Sequence, residues 1–304
     1  MEKNKIIFIV GPTAVGKSKL AISLAKKIKG EIVSCDSMQV YRGLDILSCK
    51  PSKSERKQVK HHLIDAVSSS QDFDVGRFIS LSRRLIEEIH KREKIPVFVG
   101  GTGLYLDCLL NGIFEGPKKN PKIRAELYGK AKTYGNEYLH KRLKKVDPKA
   151  AKKIHVHDLR RIVRALEVYQ ITKKPLSALQ KRRRGILQDK RFKFQIIGLD
   201  MPRAKLYENI NARVDKMFKQ GAIREVKAIL SKRCSKTFKQ ALGVKEINSY
   251  LKGQNSLEQT KQLLKRNTRR YAKRQMTWFR RDSKIQWFKN DGALSKIMKL
   301  VTQN

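Results

Sequence analysis

The sequence predicts an α/β fold: a parallel sheet with helices on its faces, interrupted by an all-helical insertion. Three features predict it. Ile6-Ile7-Phe8-Ile9-Val10 is apolar throughout, as a parallel strand buried on both faces must be. It runs straight into a glycine-rich octet and then an amphipathic stretch, in the order strand, loop, helix. Further apolar runs at 31–35, 95–99 and 194–200 alternate with helical patterns, whereas 118–190 carries helical patterns alone. The expected division is a core formed by 1–117 and 191–304, with 118–190 as the insertion.

The octet is Gly11-Pro12-Thr13-Ala14-Val15-Gly16-Lys17-Ser18, a match to G-x-x-x-x-G-K-[ST]. A strand precedes it, and Leu20, Ile22, Leu24, Ala25 and Ile28 follow at mostly helical spacing. It therefore reads as a P-loop, and the core as P-loop NTPase-like. Glycines let the backbone approach an anion, amides converge on it, and a helix N-terminus favours negative charge. Lys17 adds a point charge, and the Ser18 hydroxyl suits a Mg2+ ion. The motif says that a phosphate binds, not which reaction follows.

The run 31–35 is a second strand, ending at Asp36-Ser37-Met38-Gln39-Val40-Tyr41. Ligands of open parallel sheets lie at the carboxyl ends of strands, so Asp36 either faces the phosphate or serves as a turn or cap residue. Turn and charge signals dominate 42–72, where the adjacent His61 and His62 are poorly spaced for a metal and read as structural or solvated. Phe78, Ile79, Leu81, Leu85, Ile86 and Ile89 mark a helix face within 74–92. The strand 95–99 leads into Gly100-Gly101-Thr102-Gly103. This second glycine-rich turn either aims Thr102 and nearby amides at the same anion or is a plain tight turn.

From Glu115 the composition turns basic and helical. Leu159, Ile162, Val163 and Leu166 share one helix face, so Arg160, Arg161 and Arg164 lie largely off it. Lys181-Arg182-Arg183-Arg184 follows. Such charges form either a solvated face or phosphate contacts. After the strand 194–200 come helices at 203–220 and 223–230, a helix-entry turn at 240–246 and a long basic helix at 261–279. Trp278 and Phe279, interleaved with its cations, serve either an RNA surface or the core.

Lys and Arg number 70 against 27 Asp and Glu, a formal charge of +43. That excess implies a polyanionic partner, most simply nucleic acid, unless lysine usage is biased for other reasons. The cysteines, Cys35, Cys49, Cys108 and Cys234, form no C-x-x-C pair, which points to reduced thiols, a cytoplasmic protein and no zinc site. The first apolar run is a strand rather than a signal segment, and none approaches a membrane span. A monomer is the default expectation.

The ordered motifs resemble the bacterial tRNA dimethylallyltransferases, also called tRNA isopentenyltransferases, over nearly the whole chain. The octet, Asp36-Ser-Met-Gln-Val-Tyr-Arg42, Asp45-Ile46 with Lys50-Pro51, and His61-His-Leu-Ile-Asp65 match first. Val99-Gly-Gly-Thr-Gly-Leu-Tyr105, Arg164-Ala-Leu-Glu-Val168, Asn211-Ala-Arg-Val-Asp215, Gln240-Ala-Leu-Gly243 and Asn267-Thr-Arg-Arg-Tyr-Ala-Lys-Arg-Gln-Met-Thr-Trp-Phe279 follow. The resemblance implies transfer of a dimethylallyl group from dimethylallyl diphosphate to the exocyclic amine of the adenine just 3′ of the anticodon. It implies Asp36 as general base, Thr102 beside the breaking C–O bond, and Mg2+ at the diphosphate. It places Arg213 toward the phosphates. It assigns tRNA contacts to Asp36, Ser37, Met38, Gln39, Thr102, Arg124, Arg160, Arg161, Ile162, Val163 and Arg164. Two positions depart from the family pattern: Leu47-Ser48 stands where Gly-Thr is usual, and Val244 where Tyr is usual. Rival readings are a P-loop kinase, an adenylate isopentenyltransferase and a non-enzymatic RNA-binding protein.

Overall fold

A computed structural model of the chain describes residues 4–114, 116–181, 183–235, 237–290 and 292–302. Glu115 and Arg182, both singled out in the sequence, lie outside them. The chain divides into two compact units, Met1–Leu109 with Asp189–Asn304, and Leu110–Gln188. The second starts earlier than the compositional boundary at 118, because chain punctuation at 116–121 falls inside the helical unit rather than at its edge.

In the first unit the order is β1 (Lys5–Val10), α1 (Lys17–Lys27), β2 (Gly30–Ser34), α2 (Lys53–Gln58), β3 (His61–His62), α3 (Val75–Lys91), β4 (Ile95–Gly100) and α4 (Gly103–Asn111), whose last turn begins the second unit. The second unit holds α5 (Pro121–Val146), α6 (Pro148–Lys153), α7 (Leu159–Thr172) and α8 (Leu176–Gln180). The chain then returns through β5 (Lys193–Asp200), α9 (Arg203–Lys219), α10 (Ala222–Leu230), α11 (Val244–Leu251), α12 (Leu257–Phe279), β6 (Gln286–Lys289) and α13 (Ala293–Thr302). Among the described residues no helix is long and apolar enough to cross a membrane.

Six strands are described, all parallel, in the order β3-β2-β4-β1-β5-β6. The α/β class expected from the apolar runs is therefore the one found. β1 lies at the centre, paired with β4 at Ile7↔Val97 and with β5 at Phe8↔Ile196. Alternation along the strands divides the core. Ile7, Ile9, Val97, Val99, Ile197 and Leu199 join Leu20 and Leu24 of α1 and Ile297 of α13 in one cluster. Phe8 and Phe98 stack with ring centroids 5.0 Å apart. β3 and β6, which the sequence reading leaves out, are short edge strands.

β2 is fastened at the edge by Glu31. Its buried carboxylate meets His62 Nε2 at 2.6 Å, Arg92 Nη2 at 2.7 Å and Lys94 Nζ at 3.8 Å. Burial alone would raise its pKa, but Arg92 and His62 outweigh that and lower it to about 2. The histidine pair thus has the structural role open to it in the sequence reading.

In the helical unit Leu127, Leu139, Leu143, Ile162, Val163 and Leu166 form the core. α5 is broken at Gly135, which adopts φ 79° and ψ 167°. Glu167, fully buried, accepts from Arg124 Nε and Nη2 at 2.8 Å each, from Arg164 Nη1 at 2.7 Å and from the Asn120 amide at 2.8 Å. These partners overcome desolvation and lower the Glu167 pKa to about 2. Glu167→Ala leaves two guanidinium groups without their shared anion and is expected to destabilise the helical unit by about 3 kcal/mol or more. The contribution is present above the unfolded glutamate value and is lost as pH falls from there through about 2. Thermal unfolding of wild type and variant followed by circular dichroism should therefore diverge at pH 7 and converge toward pH 2.

Candidate active site

The strand order places a switch point at the carboxyl ends of β1 and β4, because β1 connects onward to β2 on one side and β4 to β5 on the other. The two glycine-rich loops leave these neighbouring strands, and Asp36 follows β2, the next strand along. Gly11, at φ +142°, lies so close to β5 that a Cβ there would come within 2.6 Å of the Leu199 carbonyl oxygen. Ala14 is held at φ 67°, a strained conformation for a residue with a Cβ. Gly16 caps α1 with no side-chain hydrogen bond, so the first-turn amides are left for an anion.

Lys17 Nζ donates to the carbonyls of Gly11 at 2.9 Å and Pro12 at 2.7 Å. Desolvation and the nearby Arg213 charge lower its pKa to about 7, with Asp36 opposing. Arg213 Nη1 donates to Thr13 Oγ1 at 3.1 Å. Asp36 Oδ1 accepts from the Met38 amide at 2.8 Å and the Gln39 amide at 3.4 Å, a turn closed on itself. Burial raises the Asp36 pKa despite these amides and Lys17.

Thr102 ties the second loop to Asp36. Its amide donates to the Cys35 carbonyl at 3.3 Å, and its Oγ1 accepts from the Ser37 amide at 3.1 Å. The Tyr271 hydroxyl contacts Thr102 and Gln275, and burial raises its pKa. Gln275 joins the two loops: Oε1 accepts from the Thr13 amide at 2.8 Å, and Nε2 donates to the Gly101 carbonyl at 2.9 Å. A Cβ on Gly101 would sit 2.1 Å from that nitrogen, so a side chain there would have to displace the Gln275 amide from its bridge.

A cavity of about 790 Å³ gathers Thr13, Ala14, Gly16, Lys17, Ser18, Asp36, Gln39 and Arg213. Gly11, Pro12 and Val15 form the buried frame of the loop. Ser37 and Met38 lie in the Asp36 turn, and Thr102 is bonded to it. Arg124, Arg160, Arg161, Ile162, Val163 and Arg164 belong to the helical unit. There the expected contact residues are held in different ways. Ile162 and Val163 are fully buried in the core, where their side chains offer nothing to an RNA. Arg124 and Arg164 are engaged by Glu167. Arg160 and Arg161 remain exposed, with Arg161 3.3 Å from Asp158.

Tyr271 and Gln275 were not singled out in the sequence as site residues, although their i, i+4 spacing puts both on one face of α12. Trp278 lies against Gly103 and is half-buried, whereas Phe279 is buried in the core. Of the two departures, Leu47 seats its methyl groups against Gly243, and Val244 is buried. Among the described residues no group of three or more His, Cys, Asp or Glu is placed to hold a metal.

A family model described as IPP transferase matches residues 39–282. A tRNA dimethylallyltransferase of Carboxydothermus hydrogenoformans is 50% identical over 304 residues, covering 99% of this chain and 97% of the relative. The chain belongs to the IPP transferase family. One from Acetivibrio thermocellus is 46% identical over 291 residues, 95% of this chain and 92% of its own. Among solved structures, the tRNA isopentenylpyrophosphate transferase of Bacillus halodurans aligns with TM-score 0.73 at 41% identity, covering 99% of this chain and 96% of that one. A eukaryotic dimethylallyltransferase captured acting on tRNA aligns with TM-score 0.81 at 31% identity, covering 94% of this chain and 74% of that one. Within the family fold, Gln275 is the bridge whose loss is easiest to read. Gln275→Leu leaves the Thr13 amide and Gly101 carbonyl unpaired and should cost about 2 kcal/mol of stability. It should also weaken binding of inorganic pyrophosphate, used as a probe of the P-loop and measured by calorimetry, because the loop amides lose their fixed spacing.

Proposed function

We propose that the chain transfers a dimethylallyl group from dimethylallyl diphosphate to the N6 amine of the adenine immediately 3′ of the anticodon in tRNA, releasing pyrophosphate. The observation that carries this reading is the sharing of one cavity by a diphosphate cradle and a carboxylate of raised pKa. A P-loop that cradles a leaving group, rather than a transferred phosphoryl group, needs a base at the acceptor, and Asp36 is suited to that role. The family membership and the tRNA-directed activity named for its relatives support the acceptor.

In the proposed step the N6 nitrogen attacks the allylic carbon and the C–O bond to diphosphate breaks. The electron pair leaves with pyrophosphate, and the N6 proton passes to Asp36. Both turn amides bind Asp36 Oδ1, so Oδ2 is the oxygen left for that proton. Lys17 and the loop amides meet the charge that grows on the leaving group, and Thr102 donates its hydroxyl near the same oxygen. Target adenine must leave its stack to reach the cavity.

Mg2+ fits this donor set. Ser18 lines the cavity at the exposed start of α1, and a Mg2+ ion held by few protein groups takes its remaining ligands from substrate oxygens and water. When bound it would neutralise charge on the diphosphate. Exposed Arg160 and Arg161, together with the overall charge, suit a tRNA backbone. A cytoplasmic monomer is the setting we propose.

Asp36→Asn should lower the single-turnover rate by about a hundred- to ten-thousand-fold with tRNA affinity little changed. The base must be ionised, and its pKa is raised, so wild-type activity should fall away at a higher pH than an ordinary aspartate near 3.9 would give. That acid limb should be missing from the residual activity of the variant. Labelled dimethylallyl diphosphate offered with tRNA, AMP or ATP tests the acceptor. Label on AMP alone would make the chain an adenylate prenyltransferase, and phosphoryl transfer from ATP would make it a kinase.

The arginines divide by what holds them. Arg160→Gln with Arg161→Gln should flatten the salt dependence of tRNA binding by about 0.7 to 0.9 per lost contact and leave thermal stability unchanged. Arg164→Gln should instead lower the melting temperature, since it removes a partner of Glu167. An unchanged salt slope in the double variant would take this face of α7 out of the tRNA interface.

A further inference from the structure

The turn after β2 carries a second anion-binding arrangement, already filled from within the chain. The amides of Asp45 and Ile46 donate to Glu225 Oε2 at 2.7 Å each, and the Leu47 amide donates to Oε1 at 3.0 Å. Glu225 stands in the first turn of α10. Successive amides converging on one carboxylate form a charge-assisted clamp, and without the carboxylate three donors of the turn would lose their partner.

The clamped turn is part of the cavity wall, to which Asp45, Ile46, Ser48 and Cys49 contribute. The carbonyls of Ser48 and Cys49 accept from Gln39 Nε2 at 3.2 and 3.4 Å. Gln39 Oε1 accepts from Ser34 Oγ at 2.9 Å, and the Gln39 amide reaches Asp36 Oδ1 at 3.4 Å. Hydrogen bonds joined by short stretches of chain therefore connect α10, through the turn and Gln39, to the Asp36 carboxylate. Leu47, seated on Gly243, holds the same turn from the side of α11.

We propose that Glu225 is a positioning residue for the transfer reaction: it clamps the 45–49 turn and, through Gln39, fixes the orientation of Asp36. This rests on the reading of Asp36 as the base. Pairing of its amides fixes the turn between them, and the proposal assigns the influence of Glu225 on the reaction to the route through Gln39.

A double-mutant cycle in the full-length chain tests this. Single-turnover transfer is measured with saturating tRNA and dimethylallyl diphosphate for Glu225→Ala, Glu225→Gln, Gln39→Leu and the double variants. Glu225→Ala should slow transfer about tenfold, with Glu225→Gln between it and wild type. In the Gln39→Leu background the same replacements should cost less than about twofold more. Equal losses in both backgrounds, or a Glu225→Ala rate within about twofold of wild type, would overturn the proposal. Hydrogen exchange supplies a readout independent of activity: the amides of residues 45–47 should exchange at least about tenfold faster in Glu225→Gln. Unchanged protection there would overturn it as well. If Glu225→Ala does not fold, Glu225→Gln carries both measurements. A wild-type chain that transfers nothing would refute the proposed function itself, and with it the catalytic part of this assignment; exchange would then decide the clamp alone.

Discussion

Two glycine-rich loops can share one anion only if their backbones are held at a fixed separation; the β1–β4 pairing at Val10↔Gly100 sets it at their base, and the side chain of Gln275 bridges the loops themselves. Its oxygen takes the Thr13 amide and its nitrogen gives to the Gly101 carbonyl, so one planar amide spans both loops. Rotation of that amide would break both bonds, and shortening the side chain would leave both backbone groups unpaired. The rest follows from this distance. Gly101 must lack a Cβ to admit Gln275, and Thr102, next in the chain, is thereby placed against the Ser37 amide and the Asp36 turn. Tyr271, one turn earlier on α12, completes the contact with Thr102.

Desolvation then sets the charges. Lys17 is lowered to about 7 although Asp36 lies nearby, and Asp36 is raised although Lys17 lies nearby. For each, the loss of water outweighs the attraction of the other. A diphosphate brings the negative charge that Lys17 lacks, so its arrival favours the ammonium form. It also offsets part of the field that Lys17 and Arg213 exert on Asp36, which makes the carboxylate a stronger proton acceptor.

The sequence reveals the central strands because a parallel strand covered on both faces must be apolar at every position, as 6–10 and 95–99 are. It hides β3 and β6, since two residues, or a Gln-Trp-Phe-Lys run exposed at both ends, carry no such signal. The phosphate loop is legible because its chemistry is local. Gln275 and Glu225 are not, because their partners stand 262 and about 180 residues away in the chain. The arginines of α7 show the same limit. Helical periodicity correctly puts Arg160 and Arg161 off the apolar stripe, but it cannot show that Glu167 is drawn into the core and takes Arg164 and Arg124 with it.

What separates Asp36, the residue we propose as the base, from the structural acids is how its oxygens are occupied. Glu31 and Glu167 have both carboxylate oxygens engaged by cations, and their pKa values are driven down to about 2. Glu31 and Glu167 are thereby poor proton acceptors, because protonation would have to break a bond already made. Glu225 has both oxygens engaged by amides. Asp36 receives two amides on one oxygen and is raised rather than lowered. The fold spends its other acids on holding β2, the 45–49 turn and the helical unit in place. Among the described residues Asp36 Oδ2 takes no hydrogen bond, and burial raises the Asp36 pKa. This asymmetry, and not the mere presence of an acid at a strand end, is the structural ground for reading it as the base.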